Sequence, residues 1–381
     1  MTLVDAWRWD LCLPDLTPTL AGLRSRGAGG VLTEPFGFNT GPAIFAGIYP
    51  EISNQIQKFW LVSWIHGRAA ADLCSRGVTT AAHLVDFEGV PHGLQRFFNL
   101  VETRNHFEPG CVPAATIFDV LRAHARRFLW IGVPDDALLV STNLRALASR
   151  FLGDEDLVFI HWSEPDWLGH EHGPGSTEYR GKLREIDGAI GQVVERLRAT
   201  GHPVAVLAFG DHGMVEVTGA LDLTAALATL PVRCPRDFVY FLDSTAARFW
   251  FFTDRARREV EGLLATLPMG RAITDEDRRR YRLPLGDRRH WDLCWMLDEG
   301  WVVAPDFFHS DPARRVKGMH GYRPEVPGNQ AAWVAGGDLA ATGTPGEPAR
   351  PMVDLAPTAL AILGLPVPST CQGRSLLAGS R

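Results

Sequence analysis

Long apolar runs, paired cysteines and lysine are what this chain of 381 residues lacks. No apolar stretch approaches the ~20 residues of a membrane-spanning helix, so no membrane association of that kind is expected. The opening Met1-Thr2-Leu3-Val4-Asp5 has no basic segment followed by an apolar run. No export signal is therefore visible, and the cytoplasm is the expected location. Cys12, Cys74, Cys111, Cys234, Cys294 and Cys371 are widely spaced with no Cys-x-x-Cys pair. That argues against a dense disulfide framework and predicts buried thiols in a reducing compartment. Lysine occurs only at Lys58, Lys182 and Lys317, and we read the excess of arginine as coding bias, not as a phosphate-binding surface. A formal charge of −6 argues against binding a nucleic-acid polymer or an anionic membrane.

What is present is an ordinary globular composition, 46% apolar and 22% charged, which excludes extended disorder. The length fits one large α/β core with an insertion as well as two or three domains. Short β-rich runs at 128–133, 157–162, 204–209 and 331–335 are separated by helical patterns that include 116–126 and 176–199. In the second of these, Leu183, Ile186, Ile190, Val193, Val194 and Leu197 keep a 3.6-residue spacing, so one helix face packs on the sheet. The alternation predicts an α/β fold with a mostly parallel central sheet covered by helices on both faces. From 217 to 317 the pattern changes. Runs at 238–242 and 247–252 read as paired strands, and charged stretches at 254–267 and 274–281 as solvated helices. We therefore expect a catalytic core in two parts, 1–216 and 318–381, with an inserted lid at 217–317. Residues 336–351, rich in Gly, Pro, Ala and Thr, read as a surface loop.

The chemistry is concentrated in Asp166-Trp167-Leu168-Gly169-His170, Asp211-His212-Gly213 and His320-Gly321-Tyr322. Two of these clusters fall in expected loops just after predicted strands, where sites gather in open α/β sheets. Carboxylate oxygen and imidazole nitrogen are the ligand types Zn²⁺ accepts in sites left open for substrate. Two such cations a few ångströms apart hold both the attacking and the leaving oxygen of an in-line displacement at phosphorus. Alone, Asp-His-Gly is an ordinary turn, and Asp-x-x-x-His an ordinary exposed helix face; it is the ordered combination that points to metals. His172 is assigned a loop or supporting role and His161, in strand context, a core role. Trp7, Trp9, Trp60, Trp162 and Trp167 fall near the expected site. Core packing is the simplest role for any one of them, and stacking on a base or aryl group the functional alternative.

Taken in order, Asp5, Thr40, Asp166, His170, Asp211, His212 and His320 resemble the alkaline phosphatase superfamily, in its type I phosphodiesterase/nucleotide pyrophosphatase branch. Asp5-Ala6-Trp7-Arg8-Trp9-Asp10 is similar to that family's opening Asp-Gly-Leu-Arg-x-Asp, with Ala6 in place of the glycine. Asn39-Thr40-Gly41-Pro42-Ala43 followed by Gly47-Ile48-Tyr49-Pro50-Glu51 resembles its nucleophile segment. Glu164-Pro165-Asp166 to His170 resembles its metal loop, and Val353-Asp354-Leu355-Ala356-Pro357-Thr358 its closing helix. The resemblance implies an alkaline phosphatase-like fold and two divalent metal ions, most simply Zn²⁺. Asp166, His170 and His320 would hold one, Asp5, Asp211 and His212 the other, and Thr40 would be the nucleophile bridging metal and substrate. Two divalent cations against three carboxylates leave one positive charge, and coordination lowers the pKa of a bound oxygen. The implied substrate is a small-molecule phosphate ester or anhydride, cleaved through a covalent phospho-threonine. Asn54 or Lys58 stands in for the asparagine that binds a phosphoryl oxygen in nucleotide pyrophosphatases.

Each assignment has a plainer alternative. Asp5 would serve as a helix cap. Thr40 would cap the helix that begins at Pro42, although a cap position is also where backbone donors meet a phosphate. A phosphomonoesterase on the same site is the nearest rival function and would be expected to supply extra cationic donors. A sulfatase would carry Cys or Ser where Thr40 stands, and a catalytically silent protein would use its ions for folding alone.

Overall fold

The apolar runs become strands of one seven-stranded sheet. In the computed structural model, which describes residues 1–61, 90–95, 97–102, 104–132, 139–309, 315–338 and 348–377, the order is Arg350–Pro351, Ala28–Thr33, Ala331–Gly337, Ala205–Phe209, Thr2–Val4, Leu157–Trp162, Phe128–Ile131. The last four run parallel. Ala331–Gly337 is antiparallel to both its neighbours, and Arg350–Pro351 lies parallel to Ala28–Thr33. The α/β class and the mostly parallel sheet are as the sequence predicted.

Strand residues alternate between two cores because successive side chains point to opposite faces. Val4, Ile131, Ile160, Val206 and Ala208 face the helices Pro18–Arg26, Val140–Arg150 and Thr177–Arg198. Leu3, Trp130, Phe159, Leu207 and Phe209 face Gly41–Ala46, Ile117–Ala123 and Leu355–Ile362. Burial on both faces explains why these strands read as unbroken apolar runs. The helix Thr177–Arg198 is capped by Ser176, whose Oγ accepts from Tyr179 N at 3.2 Å, and it buries Leu183, Ile186, Ile190, Val193 and Val194. Asp187 lies on the same face and accepts the backbone N–H groups of Thr19 and Leu20, both at 2.9 Å. A carboxylate there satisfies donors that the first turn of Pro18–Arg26 leaves unpaired.

The middle of the chain forms a separate four-stranded antiparallel sheet, ordered Phe238–Asp243, Ala246–Phe251, Leu293–Leu297, Gly270–Ala272. The two charged stretches are the helices Asp254–Ala265, capped by Thr253, and Asp275–Arg280, which opens with a Thr274/Asp277 capping box. Phe241, Phe249, Trp250 and Trp295 fill a further core that also takes in Phe59, Leu94, Phe98 and Leu100, so these four, expected in the first part of the catalytic core, pack with the inserted segment. Within it Arg248 Nε meets Asp243 Oδ2 at 2.6 Å, both side chains being buried. The segment enters and leaves through paired strands: Val215–Glu216 pairs with Gly318–Met319, and Gly219–Leu221 with Trp301–Val303.

Some expectations change. The loop expected at 336–351 begins inside the strand Ala331–Gly337 and ends in Arg350–Pro351, with 339–347 outside the described residues. Cys12 and Cys294 are buried as expected, but Cys111, Cys234 and Cys371 are only half-buried; all five are free, and Cys74 lies outside the described residues. Among the described residues, no helix is long and apolar enough to cross a membrane.

Candidate metal centre

Three neighbouring parallel strands deliver the carboxylates. Asp5 follows Thr2–Val4, with its N–H donating to Trp162 O at 3.0 Å. Asp211 follows Ala205–Phe209 by two residues, and its Oδ1 accepts from Ala6 N at 3.3 Å and His212 N at 3.1 Å. The turn at Asp5 puts Ala6 at φ 56°, in the left-handed region that favours the glycine it replaces. Asp5 caps no helix. Asp166 and His170 are not in the expected loop: they stand one turn apart on the helix Glu164–His172, which starts with Pro165 in its first turn and ends at Gly173, φ 90°. A helix places residues i and i+4 on one face, so both side chains point the same way. His320 directly follows the short strand Gly318–Met319.

These side chains converge. Asp166, His170 and His320 form one group whose donor atoms lie within 4.8 Å of one another, and Asp5, Asp166 and His212 form a second. Asp166 thus stands between the two, and Asp211 Oδ2 comes within 3.5 Å of His212 Nε2. Two imidazoles are fixed from behind: His170 Nδ1 pairs with Gly318 O at 2.9 Å and His212 Nδ1 with Gly213 O at 2.8 Å. A carbonyl accepts, so each Nδ1 carries the proton and each Nε2 turns its lone pair inward, as a ligand requires. Asp5 Oδ1 lies 3.3 Å from His212 Nε2 and Asp166 Oδ1 3.2 Å from His170 Nε2. Both oxygens are nevertheless buried without a partner in hydrogen-bond geometry. Buried acceptors orphaned in this way are costly unless something positive meets them, and a carboxylate/imidazole donor set suits a divalent cation.

The electrostatics agree. Burial alone would raise Asp5, yet its bond from His161 and the approach of His212 hold it well below the carboxylate range. Burial and the Asp5 charge push Asp211 up. Burial opposes the charged forms of His170 and His212, but Asp166 beside the first, and Asp211 and Asp5 beside the second, raise both. His320 is lowered by burial and by the neighbouring His212 and His170. A divalent cation among these side chains would offset the crowded carboxylates.

The cluster opens into a cavity of about 360 Å³, lined further by Phe38, Lys58, Trp167, Ser244, Phe308 and His309. Lys58 is therefore at the site. Asn54 is not: its amide donates to Asp287 Oδ2 at 3.0 Å and its Oδ1 meets His290 Nε2 at 2.8 Å. Thr40 stands at the start of Gly41–Ala46, and its side chain makes no capping hydrogen bond. The cavity lining reaches Phe38 but not Thr40. A Cβ on Gly41 would come within 2.0 Å of His106 Nε2, so a larger residue behind the threonine would have to displace that ring. Of the five tryptophans, only Trp167 lines the cavity; Trp7 and Trp162 are fully buried. His172 sits beside Glu171, 3.9 Å away, outside the cluster.

His161 is satisfied, as expected, and joins neither ligand group, but its partner is a site residue: its Nε2 is 3.0 Å from Asp5 Oδ2 and orients that carboxylate. Leu3 pairs with His161 in the parallel register, which brings the two strand ends together. Asn329 was missed altogether. Fully buried, it accepts from Gly321 N at 2.9 Å, donates to Glu34, and receives Gly213 N on its carbonyl at 2.7 Å, tying both histidine loops together.

Residues 46–323 match the profile of the family described as type I phosphodiesterase/nucleotide pyrophosphatase. The chain belongs to that family. The matched span includes Asp166, His170, Asp211, His212 and His320 and leaves Asp5 and Thr40 outside it. Among curated relatives, human GPI ethanolamine phosphate transferase 3, catalytic subunit, is 32% identical over 96 residues, 22% of this chain and 8% of the relative. Human ectonucleotide pyrophosphatase/phosphodiesterase family member 7 is 37% identical over 67 residues, 17% of this chain and 14% of the relative. The match thus spans a small part of each. Murine ectonucleotide pyrophosphatase/phosphodiesterase 5 shares the fold, with a TM-score of 0.74 and 17% identity over 99% of both chains. An inactive threonine-to-alanine variant of that murine protein, in complex with AMP, superposes with a TM-score of 0.71 and 16% identity, covering 96% of this chain and 94% of that one.

Proposed function

We propose that this family member is a two-metal phosphohydrolase that cleaves a phosphodiester or phosphoanhydride through a covalent intermediate on Thr40. The observation that carries this reading is the convergence of Asp5, Asp166, His170, His212 and His320, with Asp211 beside them, including two buried carboxylate oxygens that lack a hydrogen-bond partner. Asp166, His170 and His320 would hold one cation; Asp5, Asp211 and His212 would hold the other, with Asp166 placed to reach both. Two divalent cations, most simply Zn²⁺, would neutralise the carboxylates and lower the pKa of an oxygen brought to them.

The chain's own residues do the rest. Asp5 is held by His161, His170 and His212 by backbone carbonyls, and the turn after Thr40 by the tight fit of Gly41 against His106. Thr40 Oγ1 forms a bond to phosphorus as the bond to the leaving oxygen breaks, and water then hydrolyses the phospho-threonine. That the murine relative described as inactive is a threonine-to-alanine variant supports the choice of nucleophile, and its AMP supports a small nucleotide-like ligand. Segment 217–317 is proposed as the lid that shapes the pocket, since Ser244, Phe308 and His309 reach the cavity from it.

Elemental analysis of purified protein is expected to find close to two divalent ions per chain. Metal-replete enzyme should turn over a diester or a nucleotide anhydride in a panel that also holds monoesters and phosphonates. Full activity with no metal bound would sink the mechanism.

A further inference from the structure

The loops that carry His212 and His320 are tied to a single side chain deep in the fold. Asn329 takes Gly213 N on its backbone carbonyl at 2.7 Å and Gly321 N on Oδ1 at 2.9 Å. Gly213 follows His212, and its own carbonyl is the acceptor for His212 Nδ1 at 2.8 Å. Gly321 follows His320. A Cβ on Gly213 would fall within 2.3 Å of Gly328 O, so the backbones touch at this point. One residue thus fixes the chain beside a candidate ligand of each cation.

The Asn329 amide keeps one orientation only if its nitrogen is held as well as its oxygen. Nδ2 donates to Glu34 Oε1, and to Tyr322 O only at a long 3.4 Å. Glu34 is itself buried, and burial pushes its carboxyl well above the usual range. A carboxyl in such a place is costly unless its hydrogen bond matters. Glu34 belongs to neither ligand group and does not line the metal cavity. Whatever it does there, it does through Asn329.

We propose that Glu34 is a positioning residue: by holding the Asn329 amide it sets where the His212 and His320 loops stand, and with that the affinity of both cation sites. This rests on the two-metal reading above. Groups that orient metal ligands from behind are typically worth roughly tenfold to a hundredfold in metal affinity.

The test titrates metal-free wild type, Glu34→Ala, Glu34→Met and Glu34→Gln with Zn²⁺ in competition with a chromogenic chelator. Hydrogen exchange at the Gly213 and Gly321 amides is followed in the same metal-free proteins. Glu34 also borders a second cavity, of about 350 Å³, so water can occupy the space that alanine leaves, whereas methionine keeps the volume. Both variants should bind each Zn²⁺ roughly tenfold to a hundredfold more weakly than wild type and exchange both amides faster. Glu34→Gln keeps an acceptor where Oε1 stands and should restore affinity at both sites along with slow exchange. Normal affinity in Glu34→Met overturns the proposal, because the carboxyl would then only fill space. Weakening at one site alone overturns it too, as does a Glu34→Gln protein as weak as Glu34→Ala, since charge and not position would then be at work. If the apolar variants do not fold, Glu34→Gln decides: wild-type affinity and exchange support the proposal, and loss at both sites refutes it. A wild type that binds no Zn²⁺ refutes the two-metal reading instead. Exchange then reports on the tie by itself, faster exchange of Gly213 and Gly321 in the apolar variants upholding it and unchanged exchange refuting it.

Discussion

At the scale of single residues, the groups that would do the chemistry were legible and the groups that hold them were not. Asp166, His170, Asp211, His212 and His320 stand out because hard-ligand types recur in a fixed order after strands. His161 and Asn329 carry no such mark: a strand histidine and a loop asparagine acquire meaning only when Leu3 pairs with His161 and when the carbonyl of Asn329 meets Gly213 N at 2.7 Å. Thr40 offers the sharpest test at this scale. Because its side chain makes no capping bond, Thr40→Ala should cost less than the ~1 kcal/mol typical of a lost cap. Turnover of a diester should fall by at least about a thousandfold at full metal content, since only the attacking oxygen is gone. Thr40→Ser should keep substantial activity. Near-normal turnover in metal-loaded Thr40→Ala, read by stopped assay alongside a melting curve, would remove Thr40 from the mechanism.

At the scale of elements, period-2 and period-3.6 patterns gave the strands and the long helices to within a few residues. The chief error was Asp166 to His170, taken as loop and found as the helix Glu164–His172. A helix of nine residues holding Gly169 and three charged or polar ligand types has too little apolar periodicity to announce itself. The paired strands near 240 and 250 were legible, while the strands Leu293–Leu297 and Gly270–Ala272 that complete their sheet were not, since sheet order depends on long-range pairing. Phe249 and Trp250 are fully buried, so substituting them would mix lid packing with substrate contact. The cleaner experiment exchanges 217–317 for a relative's segment and measures metal content and substrate preference separately. Preference should move with the segment; loss of metal with unchanged preference would refute the lid.

At the scale of the whole molecule, acid stability has an identifiable contributor outside the candidate ligand groups. Burial lowers His290 to about 4 from an ordinary 6.5, the Asp287 charge opposing and Arg248 and Arg289 reinforcing the shift. Its Nε2 faces Asn54 Oδ1 at 2.8 Å, and Nδ1 is buried without a partner, so a second proton has no acceptor to meet. The folded state therefore binds fewer protons than the unfolded chain between these two values, and stability must rise with pH through that window. On acidification from 6.5 to 4 this group alone removes on the order of 3 kcal/mol. His290→Gln, which can still donate to Asn54, should flatten that part of the difference curve in chemical denaturation at matched metal content. Parallel curves for the two proteins across the window would show that His290 does not matter.

The paired strands at the mouth of the inserted segment have one more consequence. Glu216 and Gly318 face each other there, and each strand continues within four residues into a candidate ligand, His212 on one side and His320 on the other. Those two imidazoles stack with ring centres 3.5 Å apart. The proposed lid is therefore joined to the core beside these two rings, so its movement about the strand pair would act on their spacing. Were such a coupling present, thermodynamic reciprocity would require that a ligand drawing the segment inward alter how tightly the cations are held, and that loading the cations alter affinity for that ligand by the same factor. With cations in the cluster and 217–317 acting as the proposed lid, ion retention and ligand capture would be one coupled equilibrium, joined through these two strands.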